Sequence, residues 1–243
     1  MPAGRGEVAR MIRVTFATFA ALIAALAAPA SAAERKLGIG SFDRLRIDGG
    51  FDVRVTTGGP PRATLSGDAR AMEQIDVRVE GTTLAVRRRS NQPQIARAAG
   101  NVPMVVTLST QALASAAMIG GGRLSIAGMR TTRADLSVTG DGVISVTGVE
   151  AEVANATVIG TGTIAASGRA GKVRLSINGP GGIDAAALVA DDLTVRLDGP
   201  GEIKGDARYL AQVSMSGLGR VAVSGNAKCT VRAPAGGMVT CGR

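Results

Sequence analysis

Leu136-Ser137-Val138-Thr139-Gly140-Asp141-Gly142-Val143-Ile144-Ser145-Val146-Thr147-Gly148 is the stretch whose reading decides the fold. Apolar and hydroxyl residues alternate on both sides of a Gly-x-Gly, the period-two signature of a β-strand with one buried face. Glycine suits the centre because it accepts positive φ and lets neighbouring backbones approach closely. The stretch therefore reads as strand, tight corner, strand, and a second, small-residue corner at Gly148.

The unit recurs. Gly-x-Gly pairs stand at Gly120/Gly122, Gly140/Gly142, Gly160/Gly162, Gly179/Gly181, Gly199/Gly201 and Gly217/Gly219, with first glycines 20, 20, 19, 20 and 18 residues apart. All twelve read as structural corner glycines. Counting from the first glycine, positions −6, −4 and −2 are apolar in every copy, and +4 and +6 are apolar or small. Position +8 is always glycine or alanine. Outward positions are mostly Ser, Thr, Asn, Asp and Arg, as in Ser176/Asn178 and Arg196/Asp198. Self-similarity at this period means stacked coils, each burying its face on the next. The chain reads as all-β, a right-handed parallel β-helix-like solenoid of ~20-residue coils; the handedness follows from the crossover preference of parallel strands. At ~4.8 Å per coil, the repeats make a rod about 30 Å long.

Three segments follow. Residues 1–32 read as a signal peptide: Arg5, Arg10 and Arg13 precede an apolar run from Val14 to Ala28, and Ala30-Ser31-Ala32 fits a cleavage site. Met11 would open a tighter signal than Met1. The run is too short for a spanning helix, which needs ~20 residues, so the mature chain is expected to have no transmembrane segment. Residues 33–109 read as an irregular N-terminal β region. Leu45, Ile47, Gly49, Phe51, Val53 and Val55 form a degenerate coil, Asp68 to Gln74 one helical turn, Ile75 to Val86 a hairpin turning at Gly81-Thr82, and Val102 to Ser109 a strand. Arg87 to Gly100 is the best linker. Residues 110–243 are the β-helix repeats, ending in a seventh coil with Ala235 in place of the first glycine. The irregular region is suited to cap one end of the stack, where backbone edges would otherwise stand unpaired.

In the register of that last coil, Cys229 falls at −6 and Cys241 at +6, both inward. An even cysteine count in an exported chain favours a disulfide, and closing so short a loop contributes about 3 kcal/mol by the chain-entropy model. With no histidine in the chain, these two cysteines cannot complete a zinc site, and no cofactor is expected.

At this point the chain resembles the family of auto-transporter adhesin heads known as GIN domains. The resemblance is carried by Phe42-Asp43-Arg44-Leu45-Arg46-Ile47, by Phe51-Asp52-Val53-Arg54-Val55, by the Gly81-Thr82-Thr83-Leu84 turn, and by the strings around Gly140-Asp141-Gly142 and Gly179-Pro180-Gly181. It spans about residues 42–225. It implies an exported bacterial β-helix-like protein, and it is stronger for fold than for activity because its motifs are structural. The transport label is not expected to carry over, since no stretch here reads as a membrane barrel.

The formal charge is +9, and removal of residues 1–32 leaves 25 basic against 18 acidic residues, +7. That balance favours anionic partners. The only basic run, Arg87-Arg88-Arg89, is a speculative binding element beside the plainer reading of a solvated loop. Nucleic acid is disfavoured by export and by the scarcity of aromatic platforms; only Phe42, Phe51 and Tyr209 follow residue 32. The same scarcity speaks against a stacking lectin, and Tyr209 reads as a corner residue.

Chemistry is sought among the acids. Asp184, Asp198 and Glu202, on neighbouring coils, are the one group able to form a carboxylate site for a polysaccharide lyase or hydrolase, yet Arg196 and Lys204 stand among them. The Gly-x-Gly pairs lack the third glycine and following helix of a dinucleotide loop. Gly181-Gly182-Ile183-Asp184 has no nine-residue recurrence and is not a calcium roll. The expectation is an exported, periplasmic or secreted, non-catalytic protein of the envelope, adhesin-like, architectural or partner-binding, whose partner is an envelope polymer or protein, with an anionic glycan among the candidates. The polysaccharide-active enzyme is the alternative.

Overall fold

The computed structural model of the chain describes residues 33–89 and 104–242. The expected signal peptide and most of the linker expected after Arg87 lie outside the described residues. The described strands are β1 (Ala33–Leu37), β2 (Arg44–Asp48), β3 (Phe51–Thr57), β4 (Arg62–Gly67), β5 (Ile75–Glu80), β6 (Thr83–Arg88), β7 (Val105–Thr110), β8 (Ser115–Ile119), β9 (Gly122–Gly140), β10 (Val143–Gly160), β11 (Thr163–Asn178), β12 (Gly182–Asp198), β13 (Glu202–Met215), β14 (Arg220–Ser224), β15 (Lys228–Arg232) and β16 (Met238–Cys241). One five-residue helix, α1 (Ala69–Glu73), is capped by the Asp68 carboxylate, which accepts from the Ala71 amide at 3.0 Å.

The repeats stack as a β-solenoid in parallel register. Leu124, Ile144, Ile164, Ile183, Ile203 and Val221 stand directly above one another, and Leu136, Ala156, Leu175, Val195 and Val213 form a second column. All are buried. These columns are apolar because each member is covered by the coils above and below, so a polar one would be desolvated from both sides; Thr110, buried in β7, satisfies its hydroxyl by donating to the Phe42 carbonyl at 2.5 Å.

The two glycines of a corner do different work. Gly160 has φ +111°, and a Cβ there would lie 2.7 Å from the Gly140 carbonyl oxygen of the coil below. Gly162 has ordinary φ but no room: a Cβ would lie 2.7 Å from the Gly142 carbonyl oxygen and collide with Val138. At this corner the first glycine answers a conformational and a spatial demand and the second a spatial one alone; in the first pair the second glycine, Gly122, also has positive φ, +117°. Amide bonds continue the ladder through the corner, as from Gly162 to the Gly140 carbonyl at 2.8 Å.

The sixth pair corrects the reading of every corner as a positive-φ turn. Neither Gly217 nor Gly219 has positive φ, whereas Gly120, Gly140, Gly160, Gly179 and Gly199 all do. Gly219 is also buried, as are Gly142, Gly162, Gly181 and Gly201, so it is an inward backbone position rather than an exposed turn residue. A Cβ on Gly219 would overlap the Gly201 carbonyl oxygen and lie 2.7 Å from Leu197 Cδ2. Close approach to the coil below is therefore the whole reason for glycine at 219. The sixth corner leaves four residues between its strands, 216–219, against three at the fifth, 199–201, and the Gly219 carbonyl accepts from Met238 of the last coil at 3.1 Å.

The second corner differs from its reading in the sequence. It does not end a strand: β9 runs 19 residues straight through Gly128, and β10 through Gly148. Small residues there permit a bend with a register shift, as between Val146 and Val149 against β11, while interstrand bonding resumes on the far side. The return is thus a third strand-like side, with Met129, Val149 and Leu188 buried along it.

Order along the stack departs from order along the chain. β2 and β3 form a coil against β8 and β9. On its other side lie the later β6 and β7. Beyond them the chain reverses: β5 is antiparallel to β6, β4 to β7, and β1 to β4. The strand read at 102–109 spans Val105–Thr110, and the hairpin is β5–β6. At the opposite end β15 and β16 complete the last coil, placing Cys229 on Ala211 and Cys241 on Val223. The two are disulfide-bonded with Cα atoms 6.4 Å apart. Both occupy inward columns, yet Cys241 is exposed because it belongs to the terminal coil.

Candidate functional site

Outward side chains on a stacked coil fall into rows one strand apart, so any site must be assembled across coils. Two faces flank the Gly-x-Gly corner. On the face after the corner, Thr163, Ala165, Gly182, Asp184, Glu202 and Lys204 line a groove of about 240 Å³. Gly182 makes the hollow, since it contributes no side chain between Thr163 and Glu202.

The structure brings Asp184 and Glu202 to that groove. It does not bring Asp198 there. Asp198 lies before the Gly199-Pro200-Gly201 corner, where its carboxylate accepts from Ser216 and from Arg196 Nε at 3.2 Å. The Ser216 hydroxyl and then the Arg196 guanidinium hold the Asp198 carboxyl below its ordinary range, against a small opposing effect of desolvation. Glu202 pairs with Lys204 at 3.7 Å. The Asp184 carboxylate accepts from the Ala186 amide at 3.2 Å. The trio read from sequence is therefore a pair plus an acid already engaged elsewhere. A general acid needs a raised pKa, the reverse of what Asp198 has. Among the described residues, no group of three or more Cys, Asp or Glu is placed to hold a metal ion.

On the face before the corner, two depressions adjoin. One, of about 160 Å³, is lined by Lys172, Arg174, Asp192, Thr194 and Gln212 among others. The next, of about 330 Å³, is lined by Thr194, Gln212, Ser214, Thr230 and Arg232 among others. Thr194 and Gln212 belong to both, so the hollows are one groove along the stack. Register fixes it: Arg174, Thr194, Gln212 and Thr230 form one outward row. Sequence reading missed this groove. Its residues are unremarkable singly, and only the stacking register brings them together.

The Arg87-Arg88-Arg89 run sits at the reversed end. Arg87 Nε lies 3.2 Å from the Asp76 carboxylate and its Nη2 3.8 Å from Glu80; Arg89 Nη2 lies 4.0 Å from Asp76, which also pairs with Arg78 at 2.9 Å. Asp76 is buried, so Arg87 and Arg89 are partly committed to neutralising it, and Arg88 is exposed. Tyr209 is exposed beside Arg208, whose guanidinium stands 5.3 Å from the ring centroid and 3.4 Å from Asp191. No described helix is long and apolar enough to cross a membrane.

A family model described as "Putative auto-transporter adhesin, head GIN domain" matches residues 41–227. Among solved structures, the chain is similar to a putative adhesin from Bacteroides fragilis, with TM-score 0.77 and 17% identity over 88% of this chain and 98% of that one. It is also similar to a putative lipid binding protein from Parabacteroides distasonis, TM-score 0.70, 16% identity, with the same two coverages. A putative adhesin from the same species gives TM-score 0.66 at 16% identity, over 88% of this chain and 98% of that one. At these identities the likeness is one of fold. No curated protein matches the chain.

Proposed function

The chain belongs to the head GIN domain family of auto-transporter adhesins, and from that premise we propose that it is an exported, non-catalytic protein of the bacterial envelope that holds an envelope polymer or protein on the outward rows of its solenoid. The observation that carries this reading is the disposition of its acids. Asp198, Glu202, Asp191 and Asp76 each have a cation at 2.9 to 3.7 Å, which suits charges that structure a surface rather than charges held for proton transfer. On this reading residues 33–109 close one end of the stack, residues 110–243 present the faces, and Arg88 remains a candidate contact.

Cell fractionation tests the placement. The mature protein is expected in the periplasmic, surface or culture fraction with its N-terminus near Ala33, and recovery in the cytoplasm with residues 1–32 attached refutes export. A second reading rests on Asp184 and Glu202 sharing one groove: a polysaccharide lyase or hydrolase working there. Product formation from acidic glycans separates the two. The lipid binding description of one structural neighbour adds vesicles as a further probe.

A further inference from the structure

The groove before the corner contains three cations, Lys172, Arg174 and Arg232, against one carboxylate, Asp192. None of the three has an acidic partner within 4.0 Å among the described residues, unlike Arg196 or Arg208 nearby. Asp192 lies opposite Lys172 in register, at the end of the groove remote from Arg232. Between the cations stand Thr194, Gln212 and Thr230, one per coil, each exposed and each both donor and acceptor. From Arg174 to Thr230, beside Arg232, is three coil steps, about 14 Å at ~4.8 Å per strand.

We propose that this groove binds an acidic polysaccharide laid along the solenoid axis, with its carboxylates on Arg174 and Arg232 and its hydroxyls on Thr194, Gln212 and Thr230. The inference rests on the envelope-binding reading above and names its ligand class and its face. Guanidinium groups suit carboxylates because their planar fork pairs both oxygens, and the hydroxyl and amide ladder between them suits a polyol. Aromatic platforms are absent from the residues lining the groove, which disfavours single-stranded nucleic acid. A bilayer would draw on apolar side chains beside the cations, whereas Thr194, Gln212 and Thr230, the exposed residues between them, are polar.

The test titrates the mature chain with an oligogalacturonate, with dextran as the neutral control and phosphatidylglycerol vesicles as the anionic lipid arm. Three proteins are compared: wild type, Arg174→Ser/Arg232→Ser, and Arg123→Ser, an exposed arginine of β9 outside the groove; both variants change only surface residues and leave the inward columns intact. The wild type is expected to bind oligogalacturonate and not dextran. The double variant should weaken binding at least about tenfold, the loss of two charge-assisted contacts, and Arg123→Ser should leave it unchanged. Equal binding by the double variant overturns the proposal, as does binding to the vesicles without binding to the oligogalacturonate. If the wild type is retained by envelope extract but ignores the oligogalacturonate, the groove assignment fails while the envelope-binding reading stands. Loss of both overturns the two together.

Discussion

Replacing Gly160 by alanine tests the physical reason for the repeat. Its φ of +111° is one that L side chains rarely adopt, and the new Cβ would sit 2.7 Å from the Gly140 carbonyl oxygen. That oxygen is backbone of the coil below and accepts from the Thr161 and Gly162 amides at 3.0 and 2.8 Å, so it cannot move without disturbing the ladder. Positive φ costs roughly 1–2 kcal/mol, and forcing an extra methyl into close packing about 1–3 kcal/mol. The expected loss is about 3 kcal/mol, a large share of a total stability on the order of 5–15 kcal/mol. Gly121→Ala supplies the control. Its Cβ would meet only the carboxylate of exposed Asp141, with the oxygens at 3.2 Å, and a flexible side chain swings aside, so its cost stays within about 0.5 kcal/mol. Urea unfolding followed by far-ultraviolet circular dichroism, with the disulfide intact, should lower the midpoint by about 1–2 M for Gly160→Ala and leave Gly121→Ala near wild type. Equal midpoints for the two would refute the claim that close coil approach dictates the glycine ladder.

Ile144 is fully buried between Leu124 and Ile164, so Ile144→Asp should cost several kcal/mol and yield little folded protein, whereas outward-facing Ser145→Asp should be tolerated; similar soluble yields would mean the inward register is wrong. Cys241→Ser opens the 12-residue span of the terminal coil, weakening it by about 2–3 kcal/mol on the chain-entropy account; hydrogen exchange should accelerate in β15 and β16 and not in β10 to β12, and uniform acceleration contradicts a local staple. Asp198 should titrate below the ordinary aspartate value near 3.9, its lowered folded pKa meaning that its stabilising effect is present above the unfolded value and fades as pH falls through the folded one. Ser216→Ala should raise the midpoint seen by carbon NMR; an unmoved midpoint removes the serine as its cause.

The repeat itself was legible because both periods, two within a strand and about 20 between coils, are written in residue type. Leu124 to Val221 and the cysteine columns could be read by counting from each glycine. What each glycine is for was less legible: Gly199 needs positive φ and Gly219 needs only space, and the letter is the same for both demands. The continuous run of β9 through Gly128 was hidden, because a small residue marks a bend and a break alike. So was the placement of β6 and β7 beyond β2: Leu84, Val86, Val106 and Leu108 alternate as any coil does, and alternation carries no information about which neighbour lies above or below. The candidate site divides the same way. Acids could be found by type, but Asp198 and Glu202 are four residues apart with a corner between them, and only the fold shows that they face different sides. Asp76 drew no notice in the sequence, since its three arginines converge only once β5 and β6 pair. The Arg174 to Arg232 groove spans four coils and has no local signature at all.

The most direct test of a binding surface without turnover is mass spectrometry of an acidic oligosaccharide before and after prolonged incubation with the mature protein, alongside Asp184→Ala. The expected result is an oligosaccharide of unchanged length retained by both proteins. Shortened products that appear with the wild type and vanish with Asp184→Ala would contradict it and make the groove of Asp184 and Glu202 an active site.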